Sequence, residues 1–145
     1  MKRFSLTYYA KVKNQNDMFI VTFRDFENVF SEGETLEEAL FNAQDALDGT
    51  LITMAELDLP IKLPSAKQRD EYPVSVSVDL AASILLHIVR MEENKTLADV
   101  ARAMDKPYQY YQRLENLGEN MTLKKLKQAS IALGADVELV FTVRS

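Results

Sequence analysis

Gln109, Gln112 and Arg113 are side chains of the types that read nucleic acid, because an amide can pair in two-pronged fashion with adenine and a guanidinium with guanine in the major groove. Tyr108 stands beside them, Lys106 just ahead, and Lys124, Lys125 and Lys127 form a second basic cluster suited to phosphate. Other chemistry is poorly supplied. With no Cys and a single His, the chain offers no thiolate metal site and no disulfide framework, so neither a metal nor a cofactor is expected. That histidine, His87, lies among Leu85, Leu86, Ile88 and Val89 with no carboxylate or nucleophile at a recognisable spacing, and reads as a packing or rim histidine. Two-metal phosphodiester hydrolysis needs several carboxylates converging on the ions. Asp25 falls near a strand end, but Glu37, Glu38, Asp45 and Asp48 are accounted for as helix-start charges or solvated surface. The expectation is a protein that binds and does not catalyse.

The elements that would present the glutamines are two short helices meeting at a corner. Thr96 can cap the first, with Asp99 three residues on as the acidic half of a capping box. Leu97, Val100, Ala101 and Met104 recur on one face. Asp105-Lys106-Pro107 breaks the pattern, since Asp tolerates a left-handed backbone and Pro suits the first turn of a new helix. On that second helix Tyr111 and Leu114 turn inward, leaving Tyr108, Gln109, Gln112 and Arg113 outside. Thr122 caps a further helix closed by Leu133-Gly134, and its lysines crowd the end where the helix dipole disfavours cations, a placement that phosphate contact explains.

Ahead of this region, Phe4, Leu6, Tyr8, Ala10 and Val12 alternate with mostly polar residues, and Phe19, Val21 and Phe23 alternate after the turn cluster Asn14-Gln15-Asn16-Asp17, predicting a hairpin. A short third strand is expected at Val29 to Ser31, ended by Gly33. Thr35 with Glu38 forms a capping box, and Leu36, Leu40, Ala43, Leu47, Leu51 and Met54 make the stripe of a long helix lying on the hairpin sheet. Between strands, Asp25 and Glu27 flank Phe26 in a loop where no cap or ladder explains the acids. Phe26 either folds inward or anchors a protein partner.

Leu59 to Ser65 ends this first unit, assigned to residues 1–65. Residues 66–73, polar and interrupted by Pro, read as a linker, and 74–145 as the second unit. In the second unit Val74, Val76 and Val78 begin a strand, Asp79 caps a helix running to about Glu93, and Val137, Leu139, Phe141 and Val143 form a closing strand. The two strands flank the helices and have open edges through which another copy could pair, giving a homodimer or higher homo-oligomer.

The composition, 47% hydrophobic and 27% charged, is that of a folded globular protein. There is no signal-peptide layout and no apolar run long enough to span a membrane, so a cytoplasmic location without membrane partners is expected. The net charge of −5 is unevenly spread: residues 1–65 carry −5, 66–95 carry −1 and 96–145 carry +1. An acidic first unit suits a basic protein partner, and a local basic patch in the second suits DNA.

Ala101, Asp105, Tyr111 and Leu114-Glu115-Asn116 occupy the small, turn, apolar and closing positions of the Cro and phage-repressor (Xre-type) helix-turn-helix, which this stretch resembles. It departs from that pattern in having Asp105 for the usual turn glycine and Leu97 where a phosphate-contacting glutamine is common. Residues 18–65, with Val21-Thr22-Phe23-Arg24-Asp25, Gly33 to Leu40, the Ala43 to Leu47 repeat and Leu63-Pro64-Ser65, resemble the HicB antitoxin family. The resemblance implies an α+β chain, a degenerate RNase H-like unit followed by a DNA-binding domain. It further implies a small basic ribonuclease partner, a HicA-type toxin whose active site the first unit masks, and repression of the shared operon through operator DNA. Asp25, Phe26 and Glu27 are the candidate toxin contacts. A different reading of the same residues is a stand-alone transcriptional repressor whose first unit senses a small ligand.

Overall fold

The computed structural model describes residues 2–116 and 121–143. Strands β1 (Thr7–Gln15) and β2 (Met18–Phe23) form the expected hairpin, with Gln15 paired to Met18 across a two-residue turn. Asn16 and Asp17 both have positive φ, 53° and 63°, which is what a turn compatible with the right-handed twist of the strands requires and what Asn and Asp tolerate in the absence of glycine. β3 (Phe30–Gly33) adds to the outer edge of β2. Gly33 is needed there because a Cβ would meet the Ala39 backbone nitrogen at 2.5 Å. That close approach seats helix α1 (Leu36–Glu56) on the sheet, and the Thr35 hydroxyl accepts from the Glu38 N–H at its start. Tyr8, Ala10 and Val21 of the sheet and Ala39, Ala43, Leu47 and Leu51 of α1 are fully buried against one another. Each large side chain covered in this way contributes about 1.5–3 kcal/mol.

The fourth strand of this sheet differs from expectation. β4 (Tyr72–Ser75) pairs antiparallel with Thr7–Ala10 of β1, giving the order β3-β2-β1-β4. The strand expected to open a second unit therefore completes the first. Residues 62–71 before it are tied down as well: Arg24 donates to both carboxylate oxygens of Glu71 and to the Ala66 carbonyl, and Asp25 accepts from Ser65.

Helix α2 (Val78–Glu92) has Ser77 at its N-cap position, two residues earlier than the expected Asp79 cap. The Ser77 hydroxyl does not cap it, because it donates to the buried Asp48 carboxylate of α1. Ile84 and Ile88 of α2 face the first core, while Leu86 faces a second one built from Val100 and Ala101 of α3 (Leu97–Ala103), Tyr111 and Leu114 of α4 (Tyr108–Glu115), and Ala129 of α5 (Leu123–Ala132). The Thr96–Asp99 capping box is complete, and Asp105 takes the left-handed turn position with φ 56°.

Residues 135–143 form no strand in the single chain. A strand needs a neighbour for its N–H and C=O groups, and among the described residues no ladder partner is paired with this segment. Val140, Phe141 and Val143 are left 78%, 92% and 91% exposed.

Candidate functional site

Pro107 sets the start of α4, and the helix buries Tyr111 and Leu114 while leaving Tyr108, Gln109, Gln112 and Arg113 in solvent. The four candidate reading residues thus share the outer side of one short helix. Lys106 stands at the turn with its ammonium 5.1 Å from the Tyr110 ring centroid, a cation–π contact that fixes the side chain near the helix start. Lys124 and Lys127 are exposed on α5, and Lys125 is half-buried. Their helix is capped by the Thr122 hydroxyl, which accepts from the Lys125 N–H.

The far end of α4 is held by a buried polar cluster. Arg90, on the last turn of α2, donates from Nε to Glu115 Oε2 at 2.7 Å and from Nη2 to Glu115 Oε1 at 3.1 Å. Its Nη1 reaches the Lys95 carbonyl at 3.0 Å, and Nη2 also reaches Asp58 at the end of α1, at 3.2 Å. His87, one turn back, places Nδ1 3.4 Å from Glu115 and Nε2 3.1 Å from the Leu59 carbonyl. Ser83, a turn earlier still, donates to the Leu114 carbonyl at 2.8 Å. One side of α2 therefore carries a ladder of polar groups that receives the end of α4.

The electrostatics follow from this arrangement. Burial pushes the Glu115 carboxyl up, but hydrogen bonds from His87 and Arg90 outweigh it and hold it below the usual carboxylate range. The same bond to Glu115 raises His87 above the ordinary imidazole value, against the opposing effect of burial. Tyr111 is also raised, by burial first and by the Glu115 charge second, although among the described residues its hydroxyl has no partner within hydrogen-bonding geometry.

Arg90 and Asp58 carry no signal of this role in the sequence, and Glu115 is read there only as a closing position of the helix-turn-helix. The available signal was an arginine and a histidine three residues apart inside an otherwise apolar helix, which marks a polar stripe but does not name its partners. His87 is a packing histidine as read, 2% exposed, with both ring nitrogens engaged.

In the first unit the three candidate contact residues separate. The Asp25 side chain is only 4% exposed and accepts from the Ser65 N–H at 2.9 Å and the Ser65 hydroxyl at 2.6 Å, with the Lys62 ammonium 3.4 Å away. Burial raises its carboxyl, and these bonds more than reverse the shift. Phe26 folds inward against the Tyr8 ring, with centroids 5.0 Å apart at 58°. Glu27 alone of the three lies in solvent, joined on the surface by Glu32, Glu34, Glu37, Glu38 and Asp45. Among the described residues no group of three or more His, Asp or Glu is placed to hold a metal ion, and no helix is long and apolar enough to cross a membrane.

Residues 7–85 match a family described as HicB_like antitoxin of bacterial toxin-antitoxin system. The chain is 30% identical over 122 residues to Antitoxin HicB of Escherichia coli (strain K12), covering 84% of this chain and 88% of that protein. It is 31% identical over 136 residues to Antitoxin HicB 2 of Photorhabdus laumondii subsp. laumondii, covering 94% and 96%. The crystal structure of the N-terminal domain of Burkholderia pseudomallei antitoxin HicB is similar over 50% of this chain and 100% of that one, with a TM-score of 0.45 and 22% identity.

Proposed function

Because the chain belongs to the HicB-like antitoxin family, whose members are antitoxins and not enzymes, we propose that it masks a HicA-type ribonuclease toxin with its first unit and represses its own operon with its second. The observation that carries the repressor half is the exposed row Tyr108, Gln109, Gln112 and Arg113 on α4, opposite a face fixed by Tyr111 and Leu114. Gln109, Gln112 and Arg113 read base edges, while Lys106, Lys124, Lys125 and Lys127 hold phosphate. The first unit neutralises by occupancy: its surplus of acid speeds encounter with a basic ribonuclease and covers ground otherwise open to RNA. Within the Asp25-Phe26-Glu27 loop the contact falls to Glu27, because Asp25 and Phe26 are committed to internal partners.

The protein works as a dimer, since one reading helix makes too few contacts for selectivity and paired heads reach half-sites about one helical turn apart. The exposed apolar run Val137, Leu139, Val140, Phe141 and Val143 supports joining through the C-terminal segment.

The repressor half is tested by binding to a duplex from upstream of the chain's own reading frame. Gln109→Ala should relax sequence preference, whereas Lys124→Ala should weaken all sequences alike and make the salt slope shallower. If neither change alters binding, the assignment of α4 as the reading helix is wrong. The antitoxin half is tested with the protein encoded by the adjacent reading frame. Co-expression should restore growth and protect RNA, and Glu27→Lys should slow association most at low salt.

A further inference from the structure

Building on the DNA-binding reading above, we infer that the end of α1 is a competitor for the reading helix: Glu56 and Asp58 close one side of the face that carries Gln109, Gln112 and Arg113, and operator binding requires that corner to peel away. Glu56 and Asp58 line the same cleft of about 670 Å³ as Gln109, Gln112, Arg113 and Asn116, with Arg90 and His87 also on its wall. A recognition helix lies in a major groove about 12 Å wide with a phosphate wall on each side. A helix end standing against the reading face takes the place of one wall, and it brings two carboxylates where phosphates must come.

The corner is built to be released. Helix α1 ends with Asp58 in the left-handed region at φ 54°, the Leu59 N–H bonding back to the Met54 carbonyl at 2.9 Å. Glu56 and Asp58 sit at the C-terminal end of the helix, where the dipole disfavours anions, and the last turn has no basic residue to compensate. Residues 56–60 are all exposed. Among the described residues three polar contacts hold them to α2: Asp58 to Arg90 at 3.2 Å, Asp58 to His87 at 3.6 Å and the Leu59 carbonyl to His87 at 3.1 Å.

The links on the two sides of Arg90 are unequal. Toward Asp58 the carboxylate is 68% exposed, and an ion pair of that kind is weak in water. Toward Glu115 the carboxylate is 8% exposed and held by two nitrogens. Peeling the corner therefore breaks the weaker side and leaves α4 aligned on α2. Glu56 and Asp58 lower operator affinity in the resting protein, and the first unit sets that affinity without touching DNA.

The test uses the full chain and the upstream duplex, by fluorescence anisotropy across a salt series. Glu56→Gln with Asp58→Asn should tighten binding about fivefold at low salt, as expected for removing two charges near a phosphate backbone, with the gain shrinking as salt rises. A purely structural role for the corner would instead weaken binding. For the closed contact itself, Glu56→Cys with Asn116→Cys gives two thiols in a chain otherwise without Cys, which a short bis-maleimide can join. The joined form should bind the duplex at least tenfold more weakly than the same protein unjoined. Unchanged or weaker binding by the charge variant overturns the inference, as does a joined form that binds as tightly or a linkage that does not form. Wild-type protein that fails to distinguish the upstream duplex from a scrambled one removes the repressor reading itself, a separate result.

Discussion

Arg90 shows how one side chain can decide the attitude of a helix. Its guanidinium is nearly buried, and each carboxylate or carbonyl around it comes from a different stretch: Glu115 closing α4, Asp58 ending α1 and Lys95 before α3. Burial works against its charge, and the Glu115 contact restores it. The two groups facing the ring nitrogens of the neighbouring His87, the Glu115 carboxylate and the Leu59 carbonyl, are both acceptors, an arrangement that favours the imidazolium. The sign of its pH dependence follows. With its folded value raised above the ordinary 6.5, the stability it contributes is complete below about that pH and is lost as pH rises through the folded value. Glu115 acts in the opposite sense. Its contribution is present above the ordinary 4.5 and is lost as pH falls through its depressed folded value. The difference in melting temperature between wild type and His87→Gln should therefore be largest near pH 5 to 6 and shrink toward pH 9. A difference that is flat across that range would mean His87 is neutral throughout. Arg90→Met should cost more than His87→Gln, about 3–5 kcal/mol, because it leaves the buried Glu115 carboxylate with only the 3.4 Å contact to His87.

At the scale of elements, four helices stop in the same way. α1, α2, α3 and α5 each end with a left-handed residue, Asp58, Asn94, Asp105 and Gly134, followed by an N–H that bonds five residues back at 2.8 to 3.1 Å. Only α5 uses glycine. The left-handed backbone costs a side chain roughly 1 kcal/mol, less for Asp and Asn than for most. Asp105→Gly should accordingly raise the melting temperature by about 2–3 °C, with α3 and α4 still meeting at the same corner. A fall would show that the aspartate side chain contributes something the backbone does not. Gly33→Ala should go the other way, since the added carbon meets backbone and nothing flexible can yield. These local devices are what the sequence made legible: Thr35, Thr96, Thr122, Gly134 and the Asp105 turn are set by residues a few positions apart. The Asp79 cap was misplaced because the hydroxyl that matters, that of Ser77, is taken by Asp48, 29 positions away. The internal neighbours of Asp25 and Phe26, namely Ser65, Lys62 and Tyr8, are likewise distant in sequence.

For the molecule as a whole, pairing of β4 with β1 places residues 72–75 in the sheet of the hairpin. Period-two alternation announces a strand but not its neighbour, so residues 72–75 could be recognised as extended without being assigned to a sheet. A fragment of residues 1–65 lacks β4 and loses Val74, Val76, Ile84 and Ile88 from its core. It should remain unfolded by circular dichroism, whereas residues 1–93, which add β4 and α2, should fold and still bind the toxin. Folding of the shorter piece would show that the sheet is complete without β4. At the other end, a chain stopped at Asp136 should keep its helical signal, run as a monomer in light scattering and lose tight operator binding. A truncated chain that stays dimeric would place the dimer contact elsewhere.

Because α2 turns Ile84 and Ile88 to one core and Leu86 to the other, it has a consequence for heredity. An exchange of gene segments between two such antitoxins, cut in the Pro-interrupted stretch before β4, would pair one parent's three-stranded sheet with the other's fourth strand and α2. A cut after Glu93 would instead set one parent's Ser83, His87 and Arg90 against the other's Leu114 and Glu115. Under the proposed function, toxin specificity and operator specificity are inherited separately only when both parents share the contacts along α2. Lineages that trade these halves freely should be found to agree at the positions corresponding to 83, 87, 90 and 115 while diverging at 27, 109 and 112.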